Sequence, residues 1–78
     1  FPLPAKKVWQ RSLWFMAFSH RLKQLLAAVP QKDPKSREQA LVIIAPYVKT
    51  LRLVAKSTVF NERRRNWAKE VLQGRNLR

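Results

Sequence analysis

Seventy-eight residues allow one domain and no large cleft, because a chain this short buries only about 60% of its unfolded surface. With 17 lysines and arginines against 4 acids, the formal charge of +13 leaves one net positive charge in every six residues, while 46% hydrophobic content with three Trp and four Phe excludes a disordered basic tail. Without cysteine there is neither a disulfide framework nor a thiolate metal site, and the lone Gly74 cannot build a phosphate-cradling loop.

One histidine and four scattered acids supply no grouped acid, base or nucleophile, so an enzyme is not expected. No cofactor motif is present. The balance describes a folded, non-catalytic piece with an acidic partner: a nucleic-acid backbone first, an anionic membrane surface second. The first 32 residues hold no acid, only Lys6, Lys7, Arg11, Arg21, Lys23 and Lys32 as charges. Together with Phe1 in place of an initiator Met, this basicity leads to the expectation of a mitochondrial location after loss of a preceding presequence. Phe1 is then a processed end or the edge of a fragment.

The predicted class is all-α, a small three-helix domain or a long helical hairpin, with an extended N-terminal arm and a basic C-terminal tail. The arm is residues 1–4, where Pro2 and Pro4 fix φ and push their predecessors toward extended geometry. Helix spacing then runs over residues 5–29 and stops at Pro30. Val8, Phe15, Phe18, Leu22, Leu25 and Val29, joined by Trp14 and Leu26, form one broad apolar face. A second strip on the opposite side, Trp9, Leu13 and Met16 continuing to His20, exceeds what a two- or three-helix monomer can cover. These three residues are the candidate protein-docking face; the alternative is that the arm or the tail folds over Trp9 and Leu13.

A second helix is predicted over residues 34–57, opened by Asp33-Pro34 or by a Ser36/Gln39 capping box. Its expected buried row is Leu41, Ile44, Val48, Leu51 and Ala55, broadened by Ile43, Tyr47 and Val54. Lys49, Arg52 and Lys56 fall on the opposite side. Pro46 removes a backbone donor and crowds the carbonyl of Val42, so a kink is expected there. The β-branched run Val42–Ile44 finds no second strand to pair with, which decides for helix.

Lys56-Ser57-Thr58 is the weakest helical stretch and Asn61 the best new cap, so a third helix is placed at residues 61–73, with Gly74 as its stop and residues 74–78 as a basic tail. Without that break, helices two and three would be continuous. Arg63, Arg64 and Arg65 step about 100° each and point three ways, which puts one guanidinium beside whatever Trp67 packs on. Trp67 itself reads first as core and only second as a base-stacking group.

The expected function is a structural component of a ribonucleoprotein particle, most plausibly a mitochondrial ribosome. Lys49, Arg52, Lys56, Arg63, Arg64, Arg65, Lys69, Arg75 and Arg78 are the candidate RNA-phosphate ligands, and Trp9, Leu13 and Met16 face a neighbouring protein. The alternative is an accessory subunit of a membrane-bound, respiratory-type complex with an interfacial helix around residues 9–18. A DNA-binding helix-turn-helix is weakened by the missing short Gly-containing turn before the arginine-rich helix. Membrane killing of the bacteriocin type is the remaining class.

Overall fold

A computed structural model describes residues 8–30 and 35–75, the side chains of Val8 and Trp9 excepted. The N-terminal arm, the Gln31–Pro34 part of the first loop, and Asn76 to Arg78 of the tail lie outside the described residues. Those described form an all-α domain: α1 (Val8–Leu26), α2 (Ser36–Ile44), a 3₁₀ turn (Ala45–Tyr47), α3 (Val48–Lys56) and α4 (Glu62–Leu72). With α2, the turn and α3 taken as one bent rod, the architecture is the expected three-helix one.

Helix α1 ends at Leu26, three residues short of the expected Val29. The residue before a proline is pushed out of helical geometry, and here the chain turns early, with Val29 N–H donating to the Leu26 carbonyl at 3.0 Å. That turn buries the Val29 side chain. Ser36 opens α2, but the Ser36/Gln39 capping box does not form. The Ser36 hydroxyl is buried and donates instead to the Pro30 carbonyl, tying the two ends of the loop together, and the preceding Lys35 caps no first-turn N–H with its side chain.

The kink at Pro46 takes the form of the 3₁₀ turn. Proline cannot donate to the carbonyl four residues back, and tighter i→i+3 bonding bridges the gap. A real break follows α3: Ser57 is extended (φ −84°, ψ 120°) and Phe60 N–H returns to the Ser57 carbonyl, so the continuous hairpin is excluded. Asn61 is the cap of α4, its Oδ1 accepting from Arg64 N–H at 2.9 Å, with Glu62 in the first turn where the helix dipole favours an anion. At the other end Gly74, at φ 73°, lets its own N–H reach the Val71 carbonyl and Arg75 N–H reach the Glu70 carbonyl, both at 2.9 Å. These paired bonds satisfy carbonyls that a helix end otherwise leaves open.

Helices α3 and α4 form the most extensive pair, while α2 meets both α1 and α4. One core joins them: Phe15, Phe18, Leu22 and Leu26 of α1, Ala40 and Ile44 of α2, Leu51 and Val54 of α3, Phe60 before α4, and Trp67, Ala68 and Val71 within it. Its centre is aromatic. Trp14 stacks on Phe18 at 5.1 Å between ring centroids, and Trp67 presents edge-on geometry to Phe15 at 5.3 Å and to Phe18 at 6.3 Å. Two residues expected in the core are exposed instead, Leu25 and Leu41, each at 38%. The buried row of the bent rod includes Ala40 and Val54, while Val48 and Ala55 are only half-buried. Apolar residues at 41, 42, 43 and 44 point around the whole of α2, so its position against α1 and α4, not periodicity, selects the buried side.

Candidate nucleic-acid interface

The cationic residues of the second half divide into those left in solvent and those the fold uses. Lys49, Arg52 and Lys56 are all exposed on α3. At about 100° per residue they fall within about 60° of one another, and at about 1.5 Å rise per residue the row is about 10 Å long. It lies across the helix from the buried Leu51 and Val54. No acid lies between Glu38 and Glu62 to neutralise it within its own helix. On α4, Arg63 and Lys69 are exposed, as is Arg75 beyond its end. Arg78 lies outside the described residues.

Arg64 and Arg65 are half-buried and bonded internally. The Arg64 guanidinium carbon sits 4.7 Å from the Phe15 ring centroid, over its face, and Nη2 donates to Ser12 Oγ at 3.2 Å. Because Phe15 is also the ring that Trp67 meets edge-on, this is the guanidinium expected beside the Trp67 packing site. Arg65 turns back, with Nη1 donating to the Phe60 carbonyl at 2.8 Å. Of the three arginines, only Arg63 is exposed. Trp67 is only 9% exposed and belongs to the core.

An open groove of about 840 Å³ lies between α1 and the start of α4, lined by Ser19, Lys23, Asn61, Glu62, Arg63 and Glu70 among others, with Phe15 and Trp67 as its apolar part. Its charges are mixed, so it does not form a purely cationic cradle. Among the described residues no His, Cys, Asp or Glu group could hold a metal ion, and no helix is long and apolar enough to cross a membrane.

Two exposed apolar side chains on the bent rod are not foreseen by the charge pattern. Leu53, 56% exposed, stands within about 40° of Lys49 and one turn from Lys56; Val42, 74% exposed, stands two turns before Lys49. The signal available for Leu53 was its place within the cationic stripe. On α1, Leu13 is 58% and Met16 59% exposed, with no described side chain covering either; Trp9 precedes them in register, its side chain outside the described residues. The chain matches no protein-family model, curated protein or solved structure at a significant level.

Proposed function

We propose that this chain is a non-catalytic structural component of a ribonucleoprotein particle, holding RNA through phosphate contacts from Lys49, Arg52, Lys56, Arg63, Lys69, Arg75 and Arg78, with a protein neighbour on the outer face of α1. The observation that carries the reading is the row of Lys49, Arg52 and Lys56, all exposed on one side of α3, with no acid between Glu38 and Glu62. Such a row lowers its own electrostatic energy only by meeting anions, and a phosphate backbone offers them at regular spacing. Arg64 and Arg65 have a different part in the proposal: Arg64 links the start of α4 to Ser12 and Phe15 of α1, Arg65 closes onto the Phe60 carbonyl just before α4, and together they keep Arg63 and the α3 row in a fixed relation. The acid-free first third of the chain favours a mitochondrial ribosome as the particle.

Nothing in this arrangement reads base edges, so recognition is of RNA shape and charge. The test is binding of structured RNA over a salt series. If about six phosphates are met, log K against log salt falls with a slope near −4 to −5. A flat slope rejects the proposal.

A second reading draws on Leu53 and Val42, which phosphates do not explain. An exposed Leu53 within the cationic row, with the exposed Val42 two turns before Lys49, suits the headgroup zone of an anionic membrane, as in an accessory subunit of a membrane-bound complex. Flotation with anionic vesicles that is lost in Leu53→Ser, together with no salt-sensitive RNA binding, would favour it.

A further inference from the structure

We propose that the outward side of α1 is a docking face for one apolar helix of a partner protein, a helix whose apolar seam is bordered by acidic side chains. The proposal rests on the part of the preceding reading that gives α1 a protein neighbour, and names the chemistry of that neighbour.

Leu13, Met16, Ala17, His20 and Gln24 are all exposed and share one side of α1, spanning about 100° of its circumference opposite Phe15, Phe18 and Leu22, and the exposed Ala27 follows just past its end in the same register. That is the width of a helix-packing stripe. In a chain with a net positive charge for every six residues, this side carries no lysine, arginine or acid among the described residues. Its large side chains, Leu13 and Met16, sit beside Ala17, and Ala27 continues the strip about three turns further, so a second helix can approach closely. Trp9 lies in the same register.

The borders decide the occupant. Arg21 and Lys23 are exposed on opposite edges of the strip. A second copy of this chain would bring another +13 and the same two cations against them. A partner with acids flanking its apolar seam pairs with both edges, which is the charge logic that sets partners in packed helices.

The experiment uses the full chain and three labelled synthetic helical peptides: a leucine seam flanked by Glu, the same seam flanked by Lys, and a Glu-rich peptide with its leucines scrambled. Binding is read by fluorescence anisotropy with heparin present, so that the α3 row is occupied and failure of the RNA reading is kept separate. The Glu-flanked peptide is expected to bind at least about tenfold more tightly than the other two. Leu13→Asp with Met16→Asp should remove that advantage at unchanged helix content, and Arg21→Glu with Lys23→Glu should transfer it to the Lys-flanked peptide. Lys49→Gln, Arg52→Gln and Lys56→Gln should leave it in place. Equal binding of the scrambled peptide, or full binding by the Leu13/Met16 variant, overturns the proposal. A concentration-dependent dimer abolished by Leu13→Asp assigns the face to a second copy, and vesicle binding abolished by it assigns the face to lipid; either result also overturns the proposal.

Discussion

Replacing Arg64 by Gln distinguishes an arginine that folds the chain from one that serves its surface, with Arg63→Gln as a control that removes the same charge. The guanidinium of Arg64 lies over the Phe15 ring at 4.7 Å and donates to Ser12 Oγ at 3.2 Å, linking α4 to α1. A partly desolvated cation–π contact contributes about 0.5–1 kcal/mol and one hydrogen bond about 0.5–1.5 kcal/mol, so the substitution is expected to destabilise by about 1–2.5 kcal/mol. For a domain of this size each kcal/mol shifts Tm by about 4–8 °C. Arg63 is exposed and should change stability by less than about 0.5 kcal/mol. Since both variants lose one positive charge, relief of self-repulsion cancels in the comparison. Thermal melts followed by circular dichroism at low RNA-free salt give the two Tm values, and the RNA salt series gives binding. The reasoning fails if the two variants melt within about 2 °C of each other, or if Arg64→Gln weakens RNA binding more than Arg63→Gln while leaving Tm unchanged.

Changing Lys49, Arg52 and Lys56 together to Gln should make the salt slope of RNA binding shallower by about 2, because up to three phosphate contacts are lost; helix content should be unaltered, since all three are exposed. Gly74→Ala is expected to destabilise by at least about 1–2 kcal/mol in urea titration, because φ is 73° and a Cβ there would come within 2.7 Å of Arg37 Cγ and 3.0 Å of the Arg37 carbonyl oxygen. Unchanged stability would mean that the end of α4 does not lie against α2 in solution. Asn61→Ala should destabilise by about 1 kcal/mol through loss of the bond to Arg64 N–H, with Asn61→Asp retaining most of it.

Local chemistry along the chain was sufficient for the helices and their punctuation. The stop near Pro30, the kink at Pro46, the cap at Asn61 and the left-handed Gly74 depend on φ restriction, missing donors and short side-chain acceptors, all properties of single residues and their near neighbours. The inward row Phe15, Phe18, Leu22 and Leu26 followed from helical period because, past Met16, the opposite side of α1 carries no large apolar residue, only Ala17, His20 and Gln24, and so marks a face. Where apolar residues surround a helix, as at positions 41–44, period carries no such information. There only the arrival of α1 and α4 decides that Ala40 and Ile44 are buried and Leu41 is not. The arginine triplet shows the same division. Three successive residues must point three ways, but that Arg64 reaches Ser12 from 52 positions away, and Arg63 remains in water, depends on how α4 is laid against α1.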